Sequence, residues 1–215
     1  MKIKWLGHAS FLIKSDKGIT IITDPYNVYG GIQYSPINES ADIVTISHGH
    51  GDHNNSKAIQ GNPAVITAAG TREIKGITVR GFNSYHDDEQ GSKRGSNIMF
   101  CFTVDSINIC HCGDLGHTLS QNQLSDIGPI DIILVPVGGN FTVNAGQAAE
   151  VIRLIKPKVI IPMHYKNEKC SLPISTLEEF TKGKNNVREL SSNEIEFTMG
   201  SLPQKTEIIV LQYKK

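Results

Sequence analysis

The feature that most constrains this chain is a run of histidines and an aspartate directly after the apolar segment 42–46. The run reads H-x-H-x-D-H, and its members are His48, His50, Asp52 and His53. So many imidazoles beside a carboxylate are costly to hold together unless a cation neutralises and orders them. Imidazole nitrogens and carboxylate oxygens are the ligands that suit zinc, manganese or iron. The run therefore predicts a metal site in a loop that follows a strand.

The geometry of an extended loop divides these residues between two positions. His48 and His50 point to the same side, because side chains at i and i+2 share a side. Asp52 and His53 come where the chain turns into a polar, helix-like segment, so they can face a second ion. A solvated loop with chance histidines is the alternative interpretation, and the density of the pattern argues against it.

The length and charge of the chain narrow its class and its partners. With 215 residues it is predicted to form a single domain, 1–215, that buries a sizeable core. Lys plus Arg and Asp plus Glu both number 21, which argues against nucleic acid or an anionic membrane as the main partner. A small-molecule substrate is expected instead, and the sequence carries no signal for an oligomeric state. The N-terminal segment has no apolar signal region, so we expect a cytoplasmic protein.

Hydrophobic patterning predicts many short strands and few helices. Residues Ala145–Ile155 have helical periodicity, with Asn144 as the N-cap and Pro157 as the stop, and Leu177–Lys182 is a helix fragment. Early strands followed by strand–helix units suit two sheets covered by helices. The predicted strands are Ile3–Leu6, Ser10–Lys14, Gly18–Thr23, Asp42–Ile46, Ala64–Ala68, Thr78–Phe82, Met99–Asp105, Ile107–Cys112, Ile130–Val135, Val159–Pro162, Glu194–Thr198 and Glu207–Tyr213.

The metal-binding run resembles the signature of the metallo-β-lactamase superfamily, and the family's other motifs follow in order. They are Asp24 before Pro25, the segment 85–87 with His86, the segment 111–114 with Asp114, and the segment 162–165 with His164. The resemblance spans roughly residues 3–213. It implies an α/β fold, an αββα sandwich of the metallo-β-lactamase type, with a dinuclear metal site at the edge of the two sheets.

The resemblance also implies which residues bind metal. One ion would be held by His48, His50 and His86, the other by Asp52, His53 and His164, with Asp114 shared between them. Asp24 usually braces the histidine loop in this family, although an ordinary strand-end turn residue is the alternative. Two divalent ions are expected, with zinc favoured and manganese or iron as alternatives.

Several short sequence segments indicate a particular branch of the superfamily. Residues 5–9, 113–117 and 136–139 resemble small stand-alone metal-dependent hydrolases, similar to the L-ascorbate-6-phosphate lactonases. More distantly, they resemble phospholipases D that cleave N-acylethanolamine phospholipids. The implied activity is hydrolysis of a small ester, lactone or amide by a metal-activated hydroxide, with Asp52 as general base. A phosphodiesterase of the same fold, or a metal-binding protein without catalysis, is the alternative.

Several residues have roles that the sequence leaves open. His8, His117 and Tyr165 are candidates to support the metal ligands or touch substrate, and structural roles are the alternative. His111 is expected to pack rather than bind metal.

Two glycine-containing loops are candidates to shape specificity. Tyr26–Pro36 is rich in tyrosine, and Asp87–Asn97 carries Lys93 and Arg94. These cations could meet a phosphate or carboxylate, or belong to a solvated hairpin loop. The four cysteines lack C-x-x-C spacing and are expected to be free thiols, with Cys112 a minor candidate for a metal ligand.

Overall fold

The computed structural model describes residues 1–213 and contains two β-sheets and three α-helices. The strands are β1 (Lys2–Gly7), β2 (Ser10–Lys14), β3 (Thr20–Thr23), β4 (Ile43–Thr45), β5 (Ala64–Ile66), β6 (Gly70–Ile74), β7 (Ile77–Tyr85), β8 (Ser96–Val104), β9 (Ile107–His111), β10 (Ile132–Pro136), β11 (Val159–Met163), β12 (Val187–Glu189), β13 (Glu194–Glu196) and β14 (Glu207–Val210). The helices are α1 (Gln121–Ile127), α2 (Ala145–Ile155) and α3 (Leu177–Thr181), with short 3₁₀ helices at Ser56–Ala58 and Met199–Ser201.

The two sheets pack into a sandwich. One sheet has the strand order β13-β1-β2-β3-β4-β5, and the other has the order β12-β14-β11-β10-β9-β8-β7-β6. Strands β3, β4 and β5 run parallel to one another, as do β9, β10, β11 and β14. Apolar side chains from both sheets form one contiguous core. The predicted α/β architecture with two sheets is confirmed.

Local sequence explains the central strands and their turns. All five residues of β10 and of β11 are buried, as expected for apolar runs covered on both faces. Strands β8 and β9 form a hairpin closed at Asp105 and Ser106, whose φ angles of 49° and 65° belong to a tight two-residue turn. Both features are predicted by the sequence.

Helix α2 has the bounds that its sequence predicts. The Asn144 side chain accepts a hydrogen bond from the Gln147 N–H, and the Gln147 side-chain oxygen accepts one from the Asn144 N–H, which completes a capping box. The helix ends at Lys156, whose φ of 56° is left-handed, directly before Pro157. It packs against β10 and α3.

Three elements escape the sequence analysis because little of their surface is buried. Four of the five residues of β6 are exposed, and β12 is a three-residue edge strand with two exposed residues. Helix α1 has seven residues, and only Ile127 is buried. Hydrophobic periodicity cannot mark such segments. None of the helices within residues 1–213 has the length and apolar character needed to cross a membrane.

Candidate metal centre

The predicted ligands all lie at one edge of the sandwich, where strands of both sheets end. His48 follows β4, His86 follows β7, Asp114 follows β9 and His164 follows β11. The carboxyl ends of these strands point to the same edge, so residues distant in sequence meet there. Three residues at this edge, His8, Asp24 and His164, have left-handed φ angles of 51°, 39° and 53°.

The first cluster contains His48, His50 and His86. One ring nitrogen from each lies within 4.8 Å of the others. The His48 and His86 ring centroids are 4.7 Å apart, and Nε2 of His48 lies 3.0 Å from Nδ1 of His50. Three imidazoles converging on one point are the donor set of a catalytic zinc position.

The second cluster contains Asp52, His53 and His164, together with His8. One ligand atom from each lies within 4.8 Å of the others. The His8 and His164 ring centroids are 4.1 Å apart, and Nε2 of His8 lies 3.4 Å from Oδ2 of Asp52. His8, whose role the sequence leaves open, is therefore brought into the second cluster.

The Asp114 carboxylate lies between the two clusters. Its oxygens lie 3.9 Å from Nε2 of His48, 3.2 Å from that of His53, 3.2 Å from that of His86 and 3.4 Å from that of His164. One buried carboxylate thus faces ring nitrogens of both clusters. This is the position that a shared ligand must occupy.

Asp24 holds two of the histidines in place. Its Oδ2 lies 2.9 Å from Nδ1 of His53, and its oxygens accept hydrogen bonds from the Ser47 N–H at 2.8 Å and the Ser47 hydroxyl at 2.5 Å. The Ser47 hydroxyl in turn lies 2.9 Å from Nδ1 of His48. Asp24 therefore fixes one ring directly and another through Ser47, and both rings direct Nε2 towards the clusters.

Unpartnered buried atoms test whether these residues fit metal ions. Within residues 1–213, six buried ring nitrogens of His8, His53, His86 and His164 have no hydrogen-bond partner. Oδ1 of Asp114 is in the same condition. Buried polar atoms normally have partners, so a cluster of unpartnered lone-pair donors fits divalent cations bound among them.

Burial keeps two of the imidazoles in the form that binds metal. It lowers the pKa of His48 to about 3, with repulsion from His53 adding to the effect. It lowers the pKa of His8 to about 4, and the neighbouring His164 contributes. Both rings are neutral at physiological pH, and a neutral imidazole offers a lone pair.

The carboxylates and His53 are strongly coupled. Burial alone would raise the pKa of Asp114, but His164 and His53 hold it well below its usual range. Burial alone would lower the pKa of His53, but Asp114 and Asp24 raise it well above its usual value. A proton and a divalent ion compete for the same His53 nitrogen, so metal binding at this position releases a proton.

Asn97 positions Asp114, and the sequence analysis misses it. Its side-chain amide donates to the Cys112 carbonyl at 2.9 Å and to the Ser84 hydroxyl at 2.7 Å, while its oxygen accepts from the Asp114 N–H at 2.9 Å. Gly113 has φ of 55°, and a Cβ there would lie 2.5 Å from that of Ser47. An asparagine inside a strand gives no signal in the sequence.

Two candidates from the sequence lie outside the centre. The His117 ring accepts a hydrogen bond from the Tyr85 N–H at 3.1 Å and has its other nitrogen 2.7 Å from the Thr118 carbonyl. Tyr165 is buried against Trp5, with ring centroids 5.6 Å apart. His117 therefore anchors a loop, and Tyr165 belongs to the core.

His111 also has a structural place. Its Nε2 lies 2.7 Å from the carbonyl of Ala9, and its Nδ1 accepts a hydrogen bond from the Gly113 N–H at 3.2 Å. Because Ala9 directly precedes β2, this fully buried ring links the two sheets. Both of its nitrogens are occupied by backbone groups.

A cavity of about 280 Å³ opens onto the clusters. Five of the predicted ligands line it together with Arg94, Phe141 and Leu172. Of the tyrosine-rich loop, Tyr26 and Tyr34 are buried in the core, and Tyr29 is 55% exposed. The Tyr29 hydroxyl lies close over Gly51, so this loop covers the histidine run and not the cavity.

Replacing His8 by alanine is expected to weaken zinc binding at the second cluster about tenfold to a hundredfold, because His8 contacts Asp52. Zinc content is measured after dialysis against buffers of fixed free zinc. His117→Ala is the matched control and should keep wild-type zinc content. Equal zinc retention by both variants would rule out a metal-supporting role for His8.

Known proteins with similar sequences and folds include metal-dependent hydrolases. Residues 2–164 match the Beta-lactamase superfamily domain. The chain is similar to a UPF0173 metal-dependent hydrolase of Carboxydothermus hydrogenoformans, with 32% identity over 77% of this chain and 84% of the relative. A relative of the same name from Pelotomaculum thermopropionicum is 31% identical over the same shares.

A crystal structure from Thermotoga maritima, assigned to the Zn-dependent hydrolases of the metallo-β-lactamase superfamily, has a similar fold along nearly the whole chain. The TM-score is 0.83 and the identity 36%, over 98% of this chain and 97% of that one. The relatives found by sequence and the relative found by fold are all described as metal-dependent hydrolases. The chain therefore belongs to the metallo-β-lactamase superfamily, and it is a metal-dependent hydrolase.

Proposed function

We propose that the protein hydrolyses a small ester, lactone or amide with two divalent ions held among the clustered histidines. The observation that carries this proposal is the Asp114 carboxylate, whose oxygens lie within 4 Å of ring nitrogens from both clusters. A carboxylate in that position can serve two ions at once. A protein that binds a single ion does not need a carboxylate in this position.

The ions would be held as two neighbouring sets. His48, His50 and His86 form the first, and Asp52, His53 and His164 form the second, with Asp114 shared. Zinc suits nitrogen and oxygen donors best, and manganese or iron are alternatives. Two divalent ions held by these residues would lower the pKa of water towards neutrality and would offset negative charge that develops on the substrate.

Asp52 is the residue best placed to move a proton. It lines the cavity, and its carboxylate is partly exposed, unlike that of Asp114. Burial alone would raise its pKa, but His8 and His53 hold it below its usual range, so it is ionised. An ionised carboxylate at the cavity accepts a proton from the attacking water and returns it to the leaving group.

The cavity supports a small substrate with an apolar part. Its volume of about 280 Å³ falls at the low end of ligand-binding pockets. Phe141 and Leu172 are the apolar side chains among those that line it.

The experiment is turnover of matched chromogenic substrates by the zinc-loaded or manganese-loaded protein. A carboxylic ester or lactone is compared with a phosphodiester, and we expect the ester or lactone to be cleaved faster. Preference for the phosphodiester would favour the alternative, which Arg94 in the cavity wall also supports. No turnover of either substrate with both metal positions filled would favour a binding protein without catalysis.

A further inference from the structure

Arg94 is distinguished by where its side chain lies. Of the side chains that line the cavity in the described part of the chain, it alone carries a permanent positive charge. Its neighbour Lys93 points elsewhere, is exposed and pairs with Glu89. The side chains of these two sequence neighbours therefore lie in different surroundings.

The backbone of Arg94 is held rigidly beside the metal centre. The Asp87 carboxylate, next to the proposed ligand His86, accepts hydrogen bonds from four backbone N–H groups of its own loop. Among them, the N–H of Arg94 donates to Oδ2 at 2.7 Å and that of Lys93 at 3.0 Å. The backbone of Arg94 is thus preorganised by hydrogen bonds within its loop.

The Arg94 guanidinium has no anionic partner within residues 1–213. It lies over the Phe141 ring, 5.5 Å from the centroid, which orients it without neutralising it. Every other arginine of the chain has polar partners. Arg72 and Arg80 donate to backbone carbonyls, while Arg153 pairs with Glu150 and Arg188 with Glu207.

We propose that Arg94 binds an anionic group of the substrate, a carboxylate or a phosphate, that lies next to the bond to be hydrolysed. A guanidinium matches both anions through two parallel hydrogen bonds. It faces the same cavity as Asp52 and the shared Asp114, so one molecule can reach both. This assignment rests on the proposed hydrolase function and narrows its substrates to anionic ones.

The test compares three chromogenic esters with the same leaving group, whose acyl chains end in a methyl, a carboxylate or a phosphate. The zinc-loaded wild type should prefer one or both anionic esters in kcat/KM by about tenfold or more. Arg94→Gln should bring kcat/KM for the anionic esters down to the value that the same variant has for the methyl ester, while Arg94→Lys should keep part of the preference. Lys93→Gln is the matched control and should behave as the wild type. Equal preference in wild type and Arg94→Gln would overturn the assignment.

Direct binding separates this inference from the proposed function. Calorimetry measures glutarate and glycerol phosphate binding to zinc-loaded wild type and Arg94→Gln. Any binding of these anions to zinc is common to both proteins, so the difference reports on Arg94. About tenfold weaker binding by the variant supports the assignment even if no ester is cleaved. Equal binding overturns it even if esters are cleaved.

Discussion

The Asp52→Asn protein is expected to lose turnover about a hundredfold to ten-thousandfold at saturating zinc. Asparagine preserves the size of the side chain and an oxygen donor, but its amide cannot accept the proton that hydrolysis must move. The loss is therefore expected mainly in kcat. It is measured with the best chromogenic ester, and zinc content is determined on the same samples.

Two observations control this experiment. Asp88→Asn removes an exposed carboxylate two residues from His86 and should leave kcat unchanged. A circular-dichroism melting curve shows whether Asp52→Asn remains folded. If Asp52→Asn kept wild-type kcat with zinc bound, Asp52 would not be the general base.

Replacing Asp114 by asparagine is expected to have the largest effect on metal binding. Its carboxylate faces ring nitrogens of both clusters, so removal of the charge should weaken both ions. Loss of a group that merely orients a ligand costs about tenfold to a hundredfold in metal affinity, and a shared ligand should cost more. Zinc content after dialysis against a weak chelator is expected to fall from two equivalents to fewer than one.

The pattern of loss distinguishes a shared ligand from a ligand of one ion. Metal content of Asp114→Asn is compared with that of His50→Ala, which should lose only the first ion. Loss of a single equivalent in both variants would show that Asp114 serves one position. Full retention in Asp114→Asn would contradict its role as a ligand.

Motif order brings the candidate ligands together because each motif ends a strand, and strand ends of this sandwich meet at one edge. Local sequence was also sufficient to predict the strands β10 and β11 and the helix α2, since apolar runs and capping residues are local signals. Edge elements such as β6 were not predicted, because exposure removes the hydrophobic pattern. The elements that can be predicted from sequence are therefore those whose formation depends on burial and local hydrogen bonds.

Side-chain direction and long-range hydrogen bonds were beyond the sequence. Lys93 and Arg94 are adjacent and chemically alike, yet only Arg94 faces the cavity. Asn97 supports Asp114 across 17 residues of chain. His8 joins the second cluster only because β1 ends beside β11 at the same edge. Such contacts depend on how strands are placed beside one another, which no local pattern records.

The most direct test of the account is a zinc titration of metal-stripped protein, with bound zinc and ester turnover measured in the same samples. We expect turnover to rise as the second equivalent of zinc binds and to reach its plateau at two equivalents. A plateau at one equivalent, or turnover before zinc is added, would contradict the proposal that two ions act together at this site.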